Sequence, residues 1–167
     1  FGCQMNRYDS VRLVEILGAH QFEYVDDHRR ADMIFINTCT VRDKAEQKAF
    51  SYLGRLKSLK RKRPDLVIAL GGCVAQQYGE DLLRRISHLD LVVGTHGIRG
   101  VPKMLERYET TGERQSLVDF DYDFGDEPTG RADPWQPGVS AYVTIMRGCD
   151  NFCTYCIVPR VRGREVS

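Results

Sequence analysis

Six cysteines stand in this chain, at positions 3, 39, 73, 149, 153 and 156. The last three carry the strongest chemical signal. Cys149, Cys153 and Cys156 read C-x3-C-x2-C in the segment RGCDNFCTYCIVPR. Three thiolates so close together can wrap a 4Fe-4S cubane and leave its fourth iron open. Ferredoxin runs use other spacings and a fourth cysteine. A zinc ribbon needs a second cysteine pair, which is absent. The competing reading is a chance spacing in a zinc or redox loop.

Cys3, Cys39 and Cys73 share a location rather than a spacing. Each follows the carboxyl end of an expected buried strand, the edge where α/β folds place ligands. Neighbouring strands lie about 4.8 Å apart, so three thiols on adjacent strand ends can converge on one cluster-sized object. Gly2, Gly71 and Gly72 beside them permit close backbone approach. Taken singly, each cysteine is better read as a buried free thiol. Three at equivalent positions favour one shared site with three ligands and an open coordination position. Gln4, Asn6, Asn37, Thr38 and Gln76 are candidate donors to cluster sulfurs or to a substrate. Capping and turn formation is the plainer role for each of them. Two odd sets of cysteines, in a chain without secretory features, suit two three-ligand sites better than disulfides.

The elements that must position these residues alternate. Residues 1–3 read as the end of a strand. A helix follows, capped by Asn6 or Asp9, with Val11, Val14 and Leu17 on one face and Gly18 as its stop. ADMIFINT (31–38) reads as a buried strand. A helix runs from about Asp43 to Lys62, with an apolar stripe of Ala45, Ala49, Leu53, Leu56 and Leu59. Thr40 and Asp43 resemble a capping box, and Pro64 ends the helix. DLVIAL (65–70) is the next strand, then Gly71-Gly72 and a helix to about Ser87. LDLVVG (89–94) is a strand and 98–108 a helix. This order predicts an α/β fold: a parallel sheet flanked by helices over residues 1–112. Residues 113–138 read as a linker containing one edge strand, SLVDF (116–120). VSAYVTIMRG (139–148) is a fresh strand leading into Cys149. It opens a second domain at 139–167 whose continuation is expected beyond Ser167.

The C-x3-C-x2-C loop resembles that of the radical S-adenosylmethionine enzymes. An α/β domain bearing three cysteines ahead of such a loop is similar to the methylthiotransferases. FGCQMN, NTCTVRDKAEQK, GGCVAQ and RGCDNFCTYCIVPRVRGRE resemble their MiaB-type branch, which acts on tRNA. The resemblance covers residues 1–112 and 139–167. It implies a flavodoxin-like first domain and the first strand and cluster loop of a truncated radical-SAM (β/α) barrel. It implies two 4Fe-4S clusters, an auxiliary one on Cys3, Cys39 and Cys73 and a radical-SAM one on Cys149, Cys153 and Cys156. S-adenosyl-L-methionine would bind the open iron of the latter, with Tyr155 near its adenine. The implied reaction adds a methylthio group to carbon 2 of N(6)-isopentenyladenosine beside the anticodon. Implied partners are the tRNA and an electron donor such as flavodoxin or ferredoxin, with the protein a cytoplasmic monomer. Arg160 departs from the pattern, standing where an aromatic is expected.

Arg147, Arg160, Arg162 and Arg164 surround the loop and are candidate contacts to phosphate or substrate backbone. KSLKRKR (57–63) ends a helix, where positive charge suits the dipole; a tRNA patch is the subordinate reading. With 24 Lys and Arg against 23 Asp and Glu, net charge argues neither for nor against nucleic acid. The 167 residues suffice for one domain with a real core. No apolar run is long enough for a membrane span, and FGCQMN lacks the features of a signal peptide. Two other readings share these residues. One is a methylthiotransferase of another branch, acting on threonylcarbamoyl-adenosine or on a ribosomal-protein aspartate. The other is a non-enzymatic metal-binding or electron-transfer protein.

Overall fold

The computed structural model describes residues 2–40, 43–120 and 143–167. Four parallel strands form its sheet: β1 (Met33–Thr38), β2 (Val67–Gly72), β3 (Leu91–Val93) and β4 (Gln115–Leu117), in the order β1-β2-β3-β4. Helices cover both faces, as parallel strands require. The side-chain alternation of β2 divides the core in two. Ile68 and Leu70 point to one face, where Ala49, Leu53 and Leu56 of α2 (Asp43–Lys62) and Leu82 of α4 (Glu80–Arg85) meet them. Val67 and Ala69 point to the other, packed with Leu13 of α1 (Gln4–Ala19) and Val101, Met104 and Leu105 of α5 (Val101–Thr111). The expected stripe of α2 therefore faces the sheet, with Ala45 and Leu59 at its partly buried margins.

Several elements differ from the sequence expectation. Gly2 and Cys3 pair with no strand; Cys3 is extended and its carbonyl accepts the Arg7 amide at 3.1 Å, opening α1. Neither Asn6 nor Asp9 caps that helix. Both lie inside it and are buried, because their side chains serve other elements. Strand β2 runs on through Gly71 and Gly72, whose partners are Asn37 and Thr38. A Cβ on Gly71 would overlap the Phe35 ring, and one on Gly72 the Thr38 carbonyl. The helix expected up to Ser87 is two helices, α3 (Cys73–Tyr78) and α4, broken where Gly79 turns to φ 51°. A 3-10 turn at Gly97–Gly100 precedes α5. The sheet continues past Gly112 into β4, within the stretch expected as linker.

Of the strand expected at 139–148, residues 139–142 lie outside the described residues, as do Phe1 and the acidic 121–127. Residues 143–148 form no strand, only one antiparallel bridge between Arg147 and Val166. A strand exists through its neighbours' hydrogen bonds, and among the described residues only Val166 offers them. Val143 and Ile145 are accordingly exposed. The segment ends in α6 (Val158–Arg162), which packs against α3 and buries Val161 completely enough to join the core. The side chain of Asp43 is outside the described residues, so the capping box is not seen; the Thr40 hydroxyl has no hydrogen-bond partner among those described.

Candidate functional site

Cys39 directly follows β1 and Cys73 opens α3 directly after β2. Their preceding residues, Thr38 and Gly72, are register partners, so the two cysteines leave adjacent strands side by side. Both are buried. Cys3 stands at the start of α1 and is exposed. Asn6 links it to the others. Gly2 lies against the Asn6 side chain, while Asn6 Nδ2 donates to the Thr38 carbonyl at 2.9 Å. Asn37 Nδ2 donates to the Asn6 carbonyl and to Ser10 Oγ, both at 2.8 Å. Thr38 Oγ1 donates to the Gly71 carbonyl. Gln76 ties β4 in, donating to the Val118 carbonyl and accepting the Thr95 amide at 3.0 Å. These four polar residues thus spend hydrogen bonds on clamping the cysteine-bearing edge together. Gln4 is exposed on α1.

The electrostatics of this edge centre on residues that sequence reasoning missed or misplaced. Arg162 was expected at a substrate. Instead α6 carries it inward, where its Nη1 meets Asp9 Oδ2 in an ion pair at 2.7 Å. It also faces the Cys73 thiol, whose helix α3 packs against α6. Burial works against its charge, but Asp9 and Cys73 outweigh burial and raise its pKa further. Burial likewise raises the Asp9 carboxyl, with Arg162, Arg147 and Arg12 pulling against it. The Cys73 thiol is raised by burial and by its neighbours Cys39 and Asp9, with Arg162 opposing. Arg162 Nη2 is buried with no hydrogen-bond partner among the described residues. Nothing in the local sequence marks Asp9 as buried, since its partner lies on a distant helix.

The second triad lies on a loop at the surface. Cys153 is exposed, Cys149 and Cys156 half-buried. The Cys156 amide donates to the Cys153 carbonyl at 3.1 Å, forming a tight turn. Asn151 Nδ2 approaches Cys149 Sγ at 3.6 Å. The loop is anchored at its root: the Cys149 amide donates to the Gly163 carbonyl at 3.2 Å. Gly148 adopts φ 72°, and a Cβ there would collide with the Arg164 carbonyl. Asp150 accepts the Glu165 amide at 2.9 Å and pairs with Arg164 at 3.6 Å. Arg147 lies over the Tyr8 ring, 5.8 Å from its centre. Arg160 is exposed. Phe152 and Tyr155 project into solvent, at 90% and 94% exposure.

No three His, Cys, Asp or Glu side chains among the described residues are gathered tightly enough to hold a single metal ion. The donor set suits a larger thiolate-bound group instead. Two thiols leave adjacent strand ends, a third stands at the start of α1, and a buried guanidinium amine without a partner among the described residues faces Cys73, a set of soft ligands with a cationic donor beside it. An iron–sulfur cluster carries net negative charge and accepts hydrogen bonds at sulfur. Residues and group therefore fit.

Residues 1–94 match the model of the Uncharacterized protein family UPF0004. The chain belongs to that family. Relatives of this UPF0004 chain include a tRNA-2-methylthio-N(6)-dimethylallyladenosine synthase of Syntrophobacter fumaroxidans, 52% identical over 173 residues, spanning 100% of this chain and 37% of that protein. The synthase of the same description from Geobacter metallireducens is 51% identical over 168 residues, again 100% of this chain and 37% of its own. That from Francisella philomiragia is 47% identical over 172 residues, 99% and 37% respectively. The chain thus spans a little over a third of the length of the curated relatives it matches. No helix among the described residues is long and apolar enough to cross a membrane.

Proposed function

We propose that this chain is part of a radical S-adenosylmethionine methylthiotransferase that adds a methylthio group to carbon 2 of N(6)-isopentenyladenosine next to the anticodon of a tRNA. The observation that carries this reading is similarity along the whole chain to synthases of that one description, at 52% identity in the first case. The two cysteine sets support it chemically. Two 4Fe-4S clusters and S-adenosyl-L-methionine, when bound, supply the radical and the sulfur group.

The residues of the chain divide the work. Cys3, Cys39 and Cys73 hold the auxiliary cluster at the carboxyl edge of the sheet. Cys149, Cys153 and Cys156 hold the other, and the turn between Cys153 and Cys156 sets the bite of that loop. Three ligands in each set leave one position for an outside ligand. Tyr155, fully outside the protein surface here, is free to stack on a bound adenine. The exposed Arg160 and the basic surface of α2 offer charge to the tRNA backbone. A flavodoxin or ferredoxin supplies the electron, and the protein acts as a cytoplasmic monomer.

Anaerobic reconstitution of the whole protein with iron and sulfide tests the reading. It should bind about eight irons per chain, as two four-iron clusters require. With S-adenosylmethionine, a reductant and isopentenylated tRNA it should yield the 2-methylthio nucleoside by mass spectrometry. Zinc in place of iron and sulfide, or transfer to a threonylcarbamoyl-adenosine tRNA alone, would overturn it.

A further inference from the structure

Asp9 lies on α1, Arg162 on α6, and they are buried to 2% and 9% exposure. Their 2.7 Å ion pair joins the segment bearing the C-x3-C-x2-C loop to the helix that follows Cys3. The same guanidinium faces Cys73, which opens the helix that α6 packs against. The next residue, Gly163, accepts the amide of Cys149. Thr95 Oγ1 donates to the Val161 carbonyl at 2.7 Å and His96 Nε2 to the Arg162 carbonyl at 3.0 Å, seating the helix from the β3 side. A path therefore runs from Cys149 of one triad through the Gly163 carbonyl and the Arg162 backbone to a guanidinium that pairs with Asp9 and faces Cys73 of the other. Breaking a buried pair by removing one partner is costly, so this path has one stiff link.

We propose that Arg162 is a positioning residue that couples the two cysteine triads, its backbone segment anchoring the root of the Cys149 loop and its side chain, fixed by Asp9 of α1, standing beside Cys73. The Nη2 amine, unpaired among the described residues, is left over for a group bound by Cys73. This second role rests on the cluster reading above; the tether does not. Arg162 is buried and paired with Asp9 in this arrangement. It determines where one triad stands relative to the other and places a fixed positive charge at the auxiliary site.

Hydrogen exchange on the metal-free, reduced chain tests the tether. Arg162→Gln and Asp9→Asn should each raise exchange at least tenfold across 158–163 and at the Cys149 amide, with β2 unchanged. Arg162→Lys should keep part of the protection. Should a single variant fail to fold because of the charge it strands, the double Asp9→Asn, Arg162→Gln variant strands none and should show the same release of α6. Unchanged exchange at 158–163 in that double variant would overturn the tether. The second readout uses the whole protein with Cys149, Cys153 and Cys156 changed to Ala and reconstituted with iron and sulfide. Arg162→Gln should move the midpoint potential of the remaining cluster to more negative values, and Arg162→Lys should restore much of it, since nearby charge and hydrogen bonds to sulfur set such potentials. An identical potential in all three would overturn the role at Cys73. Failure of Cys3, Cys39 and Cys73 to bind iron would overturn the cluster reading alone, and tenfold release of α6 would still uphold the tether.

Discussion

Each thiol here is defined by its surroundings more than by its type. Cys39 and Cys73 are buried on neighbouring strand ends, whereas Cys153 stands in solvent. The two sets should therefore fail differently. In the whole protein, Cys149→Ala should abolish reductive cleavage of S-adenosylmethionine while about four irons stay on the other triad. Cys39→Ala should leave cleavage intact and abolish methylthio transfer. Product chromatography and iron analysis check both, and persistent cleavage in the first variant would remove Cys149 from its role. Gly72 makes a simpler case. Its φ of 87° and its contact with the Thr38 carbonyl leave no room for a side chain. Gly72→Ala should cost about 3 kcal/mol in urea unfolding, the sum of backbone strain and a displaced β1.

Among the elements, β3 is short and relies on a charged brace at its start. Asp90 accepts the Ile68 amide and Lys60 Nζ at 2.8 Å each, and Tyr108 Oη at 2.6 Å. Lys60 also donates to the Leu66 carbonyl at 2.6 Å. One carboxylate thus ties α2, β2 and α5 together. Asp90→Ala leaves Lys60 and a buried amide without their partner, and should lower stability by about 3 kcal/mol. Burial and the bond to Asp90 raise the Tyr108 phenol above its ordinary value of 10.0. The folded state thus holds this proton more tightly than the unfolded state. Its contribution is complete below pH 10 and is lost as pH rises beyond it. Tyr108→Phe should start about 1 kcal/mol less stable at neutral pH and lose less between pH 10 and the alkaline limit, as denaturant midpoints across that range will show. The basic end of α2 is resolved in the same terms. Lys60 and Arg63 are committed to Asp90 and Asp32, while Lys57, Arg61 and Lys62 remain on the surface.

For the whole molecule, the two core clusters draw on residues no later than Val118. Residues 143–167 join that body chiefly through Val161, Arg162 with its ion pair to Asp9, and Arg147 over Tyr8. The α/β part should therefore fold without them. A chain ending at Phe120 should keep its far-ultraviolet circular dichroism and unfold in one transition, about 3 kcal/mol less stable because Asp9 loses its cation. Loss of cooperative unfolding would show that α6 is integral to the core. The same truncation uncovers Cys73, so alkylation of that thiol should accelerate.

Periodicity and chemistry in one dimension were enough for much of this. The apolar stripe of α2 and the runs at 31–38 and 65–70 predict helix and buried strands because burial imposes its period on the sequence. The C-x3-C-x2-C loop is legible because its three cysteines are neighbours along the chain. Cys39 and Cys73 are legible from the strands they follow, since strand ends in a parallel sheet share one edge, whereas Cys3 stands at a helix start and pairs with no strand. What the sequence could not show depends on partners remote in the chain. Asp9 reads as a cap until Arg162 reaches it from α6. Residues 143–148 have β-branched character but too few neighbours to pair with. Local pattern records the environment that each residue averages over its own turn or pleat. Only the tertiary structure decides which distant charge completes a buried one, and here that decision brings Arg162 of α6 onto Asp9 of α1.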